Sequence, residues 1–518
     1  MTPIVARAAT DTRWARVLVR LVAVAAGLVS ALSLGPWGWW PLGVGGLGVL
    51  YAITSQIDRP LRRFALTWWF MVGYFVLGVA FIIDLTAPGY VIAVPTLAAI
   101  MAAPHVVPGP PSLRGVAFVA ALVVGEAWRW VVPFGGVPLG GLALGQVNGP
   151  FLAVASTAGA LGVLATTATA AVALAELVMG RRRSAGVAFA VAGLLLVTGY
   201  VDPSSRSVGD LTVAAVQGGG QLGTNAETSD QQPVFTRHLE ASQDLPDGAL
   251  VLWPESAVTV DGEFEGSRRH QQLAELARST NTTLVVGVTQ RDETSFDNLS
   301  VVIAPDGSVV DSYQKVHLVP FGEYIPFRSF VGRFADLSLV PRDAVPGEGA
   351  GYLWTPAGQA AIGISWEIYF WERIRSGVRE GGELVLNPTL ASSYTTTHVP
   401  EQSLAAARIR AVETGRWVVQ ASTTGYTAIV DPNGQVVERS GLREQIVLTA
   451  DIERRSGETL ATRLGKFPLT LLSLLALTGL SLWRPGRGSD LDDDRDGTIV
   501  DDADDHLGPE PAGGDLQA

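Results

Sequence analysis

The sequence predicts an α-helical transmembrane bundle of about eight spans, with an α/β domain set between the seventh and the eighth. Three features predict it. Apolar runs long enough to cross a bilayer fill the first 201 residues and recur near 467–484. Residues 202–466 instead alternate short β-branched runs with amphipathic helical ones, the texture of a layered α/β domain. Within that region the stretch YQKVHLVPFGEYIP (313–326) packs a lysine, a histidine, a glutamate and two tyrosines among apolar residues. Folding pattern alone does not explain that mixture; a site does.

The apolar runs lie near 15–35, 37–55, 64–83, 88–107, 113–132, 148–178, 185–201 and 467–484. The Gly/Ala/Thr-rich run at 148–178 is long enough to tilt or to begin at the interface. The first run reads as a retained span rather than a removable signal, because further spans follow it at once. Arg13, Arg16 and Arg20 precede the first run, Arg59, Arg62 and Arg63 separate the second and third, Arg114 separates the fourth and fifth, and Arg181, Arg182 and Arg183 separate the sixth and seventh. Alternate loops hold Asp84 and, apart from Arg129, no basic residue. Lys and Arg mark the cytoplasmic side, so both termini are expected in the cytoplasm and residues 202–466 outside it. Trp37, Trp39, Trp40, Trp68, Trp69, Trp128 and Trp130 fall near span ends, as an interfacial belt requires.

The chain has 518 residues and a net charge of −12. Residues 485–518 hold eleven acidic residues against two arginines, so the charge describes an acidic, disordered tail rather than the folded part. There is no cysteine, which excludes disulfides, thiolate metal sites and a thiol nucleophile. No metal, organic cofactor or nucleic-acid partner is expected, since no ligand cluster or binding fingerprint appears. Gly218-Gly219-Gly220 lacks the Lys-Ser/Thr of a phosphate loop.

In the α/β region, strands are expected at Leu211–Gln217, Ala249–Trp253, Thr283–Val288, Leu299–Ile303, Ser308–Tyr313, Ala360–Ile364, Glu383–Leu386, Trp417–Ala421, Thr427–Val430 and Gln445–Ala450. Helices are expected at Gln232–Ser242, Ser267–Arg278, Trp371–Arg379 and Glu401–Thr414. Asp306-Gly307 and Asn433-Gly434 read as hairpin turns. Three polar residues follow three of these strands, where α/β folds gather their sites. Glu255, after LVLWP, suits a general base, because partial desolvation raises a carboxyl pKa. Lys315 can stabilise an oxyanion. Ser365 ends an apolar strand just before a helix, a placement that exposes a nucleophile. Singly, each has an ordinary alternative as a turn or surface residue. Their recurrence in the order carboxylate, lysine, nucleophile argues for one site.

With LWPES, YQKVHLVPFGEYIP, SWE and the block EQSLAAARIRAVETGRWVVQAS–TTGYTAIVDPNG, the chain resembles the apolipoprotein N-acyltransferases, and residues 209–452 resemble a carbon–nitrogen hydrolase (nitrilase-type) domain. The resemblance implies an α-β-β-α sandwich at 209–452, a membrane domain at 1–201, and a closing helix at 467–484. It also implies a bacterial plasma-membrane enzyme that moves a fatty acyl chain from a phospholipid donor to the amino terminus of a diacylglyceryl-modified apolipoprotein. Glu255 would be the base, Lys315 the oxyanion support, and position 365 the carrier of the acyl group. Glu323 and Glu367 would orient the lysine and the incoming amine, Trp366 would pack on the acyl chain, and Tyr324 and Asn387 would line the pocket. The family carries cysteine where this chain has Ser365. A thiol has a reference pKa of about 8.5, whereas a serine hydroxyl must lose its proton as it attacks. Two further departures are the asparagine missing from VQGGGQL and Ser403 in place of a histidine. A non-catalytic lipoprotein- or lipid-binding paralogue and a tethered amidase or esterase are the competing readings. Phe327, Phe330, Phe334, Leu337 and Leu339 in 327–341 suit either core packing or a lid dipping into the outer leaflet.

Overall fold

The computed structural model describes residues 13–107, 109–201, 205–220, 231–333, 337, 340–390 and 398–482. Residues 485–518, with Phe334 and Leu339, lie outside them. The amino-terminal part is helical: α1 (Arg13–Ala31), α2 (Trp40–Thr54), α3 (Pro60–Gly78), α4 (Ala87–Ala102), α5 (Arg114–Arg129), α6 (Ala155–Val178) and α7 (Arg182–Gly199). Among the described residues, five helical segments are long and apolar enough to cross a membrane: Arg13–Ala31, Ala87–Val106, Pro111–Arg129, Pro150–Val178 and Arg182–Gly199. They mark this as the membrane part of the chain. Helix α2 is apolar but shorter, and α3 carries Arg62 and Arg63 in its first turn. The run expected at 148–178 is not one straight helix. A 3-10 turn at Pro150–Val154 leads into α6, which breaks at Gly159 (φ 63°).

Helices α1 and α3 touch backbone to backbone. A Cβ on Gly27 would stand 1.9 Å from the Phe70 carbonyl oxygen, and one on Gly73 would stand 2.3 Å from that of Val24. Only glycine allows so close an approach.

All ten expected strands form, with ends shifted by a few residues, in two sheets. The first sheet runs β14 (Ile446–Ser456), β1 (Arg206–Gln217), β2 (Leu250–Leu252), β4 (Thr283–Arg291), β5 (Ser295–Ile303), β6 (Val309–Gln314), with β3 (Val258–Asp261) on β4 and β7 (Asp343–Ala344) on β5. The second runs β13 (Val436–Arg439), β12 (Ala428–Val430), β11 (Val418–Ser422), β10 (Leu384–Thr389), β9 (Ala360–Ile362), β8 (Tyr352–Leu353). Strands β3, β7, β8 and β13 were not expected; they have two to four residues, too few to show a period of two. Strands β1, β2 and β4 run parallel, as do β9, β10 and β11, while β14 closes antiparallel on β1 from Arg206↔Ser456 to Gln217↔Ile446.

The two sheets face each other across Leu211, Val213, Leu252, Val285, Ile362, Leu386 and Val419. Helices α8 (Gln232–Ala241) and α9 (Arg268–Thr280) pack Phe235, Leu273 and Leu276 over the other face of the first sheet, on Val251, Leu284 and Val286. Helices α10 (Trp371–Arg379) and α11 (Val399–Thr414) cover the second. The result is a four-layer α-β-β-α sandwich. Beyond α11 the apolar core continues without a break into the membrane part, joining Leu404 and Val412 to Leu152 and Leu164. Almost every residue of α11 is therefore buried, and its polar groups pair across the seam. Gln402 accepts from the Gly140 N–H (2.8 Å) and donates to the Gly78 carbonyl (3.0 Å), and Arg408 donates to Asn148 Oδ1 (2.6 Å). The chain returns to the membrane part through α12 (Phe467–Leu482).

Candidate active site

Parallel β2 ends at Leu252, and the chain leaves it through Trp253 and Pro254 into Glu255. The turn is tight: Ser256 takes the left-handed conformation (φ 53°). Opposite it, a Cβ on Gly287 of β4 would lie 2.1 Å from the Pro254 carbonyl oxygen. Trp253 points away, bonding Ser242 Oγ (3.1 Å) under the outer helices, and does not cover the carboxylate. What meets Glu255 is Lys315, one residue past β6. The Lys315 N–H still bonds the Asn298 carbonyl (2.9 Å) as a strand residue would.

The Lys315 side chain is 1% exposed, and its ammonium donates to Glu255 Oε1 (2.8 Å) and Glu323 Oε1 (2.9 Å). Asn298 Nδ2 donates to the same two oxygens, at 2.9 Å each. Burial pulls the lysine pKa down, but the two carboxylates outweigh it and hold the pKa above its ordinary value. Lys315 is thus a fixed cation at neutral pH. The carboxylates differ in their second oxygens. Glu323 Oε2 accepts the Val319 N–H (2.7 Å), whereas Glu255 Oε2 has no hydrogen-bond partner among the described residues. Both oxygens of Glu323 are engaged; among the described residues Glu255 keeps one oxygen open to receive a proton.

Ser365 follows β9 on a sharp elbow (φ 51°), a conformation that is strained for a non-glycine residue. Glu367 holds this elbow to the lysine loop. Its fully buried carboxylate accepts the Ile364 N–H through Oε2 (2.9 Å), and the Val316 (2.9 Å) and His317 (3.0 Å) N–H groups through Oε1. Tyr313 Oη, 2.9 Å from both oxygens, completes the set. The residue after Lys315 and the residue before Ser365 therefore share one carboxylate. His317 stacks on Phe370 (4.3 Å between ring centroids), and burial, with help from Arg373, pushes its pKa down to about 4.

Three placements differ from expectation. Ser365 Oγ is bonded to Thr389 Oγ1 (3.1 Å) and forms no hydrogen bond to Glu255 or Lys315, because the elbow turns the hydroxyl toward the end of β10. Glu367 makes no hydrogen bond to Lys315; its lone pairs are occupied by backbone N–H groups and Tyr313. Asn387 does not line the pocket. It is fully buried, with Nδ2 on Gln420 Oε1 (2.8 Å); Thr389, on the same face of β10 but at its very end, reaches the wall instead. Trp366 lies against Phe81, Tyr369 and Phe370 with centroids 6.1–6.2 Å apart. Tyr324 is half-buried beside Glu323, its carbonyl taking the Phe321 N–H (2.8 Å).

Ser365, Trp366, Thr389 and Ser403 line a narrow cavity of about 40 Å³ together with Phe81 and Leu139 of the membrane part. It is large enough for a water-sized group and far too small for an acyl chain. Among the described residues no three His, Asp or Glu side chains are grouped as a metal site would need. The sequence reading missed Asn298 and Thr389. Asn298, with Asp297 beside it in the strand SFDNLSVVI, is a usable signal, because strands are depleted in both residue types; Thr389 offers none, as threonine is at home in strands.

Two family models match the chain: carbon-nitrogen hydrolase over residues 212–461 and apolipoprotein N-acyltransferase N-terminal domain over residues 26–175. Curated relatives of similar sequence are apolipoprotein N-acyltransferases. That of Shewanella oneidensis is 28% identical over 63% of this chain and 66% of its own length, and that of Agrobacterium fabrum 28% over 80% and 86%. That of Rhodopseudomonas palustris is 26% identical over 92% and 96%. Among solved structures, Saccharomyces cerevisiae Nit3, of the nitrilase superfamily, aligns with a TM-score of 0.38 and 23% identity, over 51% of this chain and 96% of its own.

Proposed function

Because this chain belongs to the apolipoprotein N-acyltransferase family, we propose that it transfers a fatty acyl chain from a membrane phospholipid to the N-terminal amine of diacylglyceryl-cysteine apolipoproteins, with Ser365 as nucleophile. The observation that carries the reading is the Glu255–Lys315–Glu323 cluster, tied through the Glu367 carboxylate to the Ser365 elbow at the seam with the membrane part. In the first half-reaction Ser365 Oγ attacks the donor ester carbonyl and gives its proton to Glu255 Oε2. Lys315 stabilises the oxyanion. The carbonyl–oxygen bond to the lysophospholipid breaks, the proton goes to that leaving oxygen, and a Ser365 acyl ester remains. In the second half-reaction the apolipoprotein amine attacks the ester, Glu255 takes the amine proton, and the Ser365 oxygen leaves and is reprotonated as the amide forms. This is ping-pong chemistry.

Both steps require Ser365 Oγ to leave Thr389 and the cavity to widen as the acyl chain enters. Trp366 and Phe81 then form the wall against which the chain lies. The same reading places α1 to α7 and α12 across the bacterial plasma membrane as eight spans. Residues 209–452 then stand on the extracytoplasmic side, with both termini in the cytoplasm.

The test is purified protein with phospholipid and a diacylglyceryl-cysteine peptide, the peptide read by mass spectrometry. Acylated peptide from the wild type and none from Ser365→Ala supports the proposal. The bond from Ser365 to Thr389 rather than to Glu255 favours a second reading, a lipid- or lipoprotein-binding paralogue without turnover. Product from Ser365→Cys alone would establish that one.

A further inference from the structure

The amino-terminal ends of α1 and α3 carry a second feature, remote from the acyl-transfer seam. The two helices run parallel: residues 16–20 of α1 face residues 59–66 at the start of α3, and residues 24–27 face residues 70–74 further along. Their starts are therefore side by side, and between them lies a groove of about 400 Å³. Arg16 and Arg20, one turn apart on α1, form one wall, and Arg59 and Arg62 form the other, over a floor of Val19, Ala65 and Leu66. Among the described residues no acidic side chain lines the groove. Arg16, Arg20 and Arg59 have no ion-pair partner among the described residues, although this end of the bundle pairs other cations, Arg114 with Asp58 and Arg181 with Glu176.

The rule that places positive charge in cytoplasmic loops accounts for the number of arginines and not for their convergence. Two segments some forty residues apart aim them at one concavity, where the N-terminal dipole of α3 adds to the positive potential. On the outer side of α1, opposite the groove, Leu18 and Leu21 are exposed, so an apolar surface flanks the charged mouth. Positive mouth and apolar flank match one amphiphile. We propose that this groove binds the phosphodiester head group of an anionic membrane phospholipid, its acyl chains running along the outside of α1. Arginine suits that anion because its planar fork bonds two phosphate oxygens at once.

The experiment is native mass spectrometry of the full chain in neutral detergent, offered equal phosphatidylglycerol and phosphatidylcholine. The wild type is expected to retain phosphatidylglycerol about tenfold over phosphatidylcholine, the ratio one strong charge-assisted contact supplies. Arg16→Gln/Arg59→Gln should abolish the preference, and the charge-matched Arg182→Gln/Arg183→Gln should keep it. Ala65→Trp, which fills the groove and leaves every charge in place, should abolish it too; this variant decides the matter if the arginine variant does not fold. Equal loss in the Arg182/Arg183 variant, or retention in Ala65→Trp, overturns the proposal in favour of a diffuse charge effect. Displacement of the lipid by millimolar glycerol phosphate alone also overturns it, since the site would then be one for free phosphate.

Discussion

Replacing Lys315 with methionine keeps the length of the side chain and removes the cation between the buried Glu255 and the partly buried Glu323 carboxylates. In the wild type the ammonium lies 2.8 Å from Glu255 and 2.9 Å from Glu323, and only 1% of the side chain meets solvent. Breaking a buried pair from one side leaves an uncompensated charge and costs about 3–5 kcal/mol. Here two carboxylates are left, so the loss should sit at the upper end at pH 8. Two carboxylates sharing one site cannot both stay ionised, and the pKa of one rises. A group whose folded pKa is raised stabilises below its unfolded pKa and loses that stability as pH rises through the folded one. The variant should therefore regain stability as pH is lowered from 8 toward 5, a direction in which the wild type gains nothing from this site. The raised lysine pKa gives the wild type the same sign at the alkaline end: its contribution is complete below about 10.5 and fades as pH climbs through the folded value, a limb the variant lacks. In acyl transfer, loss of one oxyanion contact should lower kcat by about 10²–10³-fold. The assays are thermal unfolding of the detergent-solubilised protein from pH 5 to 11 and peptide acylation by mass spectrometry. A variant as stable as the wild type at pH 8, with unchanged turnover, would refute the reasoning.

Glu367→Gln leaves one acceptor oxygen where two served three backbone N–H groups and Tyr313; it should destabilise by about 1–3 kcal/mol and slow turnover because the elbow detaches from the lysine loop, read by unfolding and kcat together. Gly287→Ala inserts a Cβ 2.1 Å from the Pro254 carbonyl oxygen, so Glu255 must shift; turnover should fall by about 10²-fold with donor binding largely kept, which a KM-against-kcat comparison reads. His317 is neutral at pH 7 with its pKa pushed down to about 4, so part of the fold's stability should fade as pH falls from about 6.5 toward that value; His317→Phe, which keeps the stack on Phe370, should remove that fading and leave the pH–rate profile above pH 6 unchanged. A limb near pH 6.5 that vanishes in His317→Phe would contradict this placement.

Glu255 and Lys315 were legible as partners because each stands one to three residues past a strand, and strand ends gather at one edge of a sheet. The ten strands were legible for the same local reason: β-branched runs bounded by turn residues. Asn298 and Glu367 mark where local reading stops. Asn298 sits in the mixed strand SFDNLSVVI and Glu367 among the largely apolar residues of ISWEIYF, and their task is to satisfy groups 25 to 54 residues away in the chain. Nothing in their immediate neighbours names those groups.

By itself the sequence determined the helical membrane part, the layered α/β domain and the identity of the three residues that follow strands, because hydropathy, period and strand–turn order are properties of adjacent residues. The tertiary structure decided that both oxygens of Glu323 are engaged while Glu255 keeps one open among the described residues, that Ser365 rests on Thr389, and that the second sheet rather than the first is packed against the membrane part. Those outcomes depend on which side chains compete for the same donors once distant strands are in register, and a linear pattern does not record that competition.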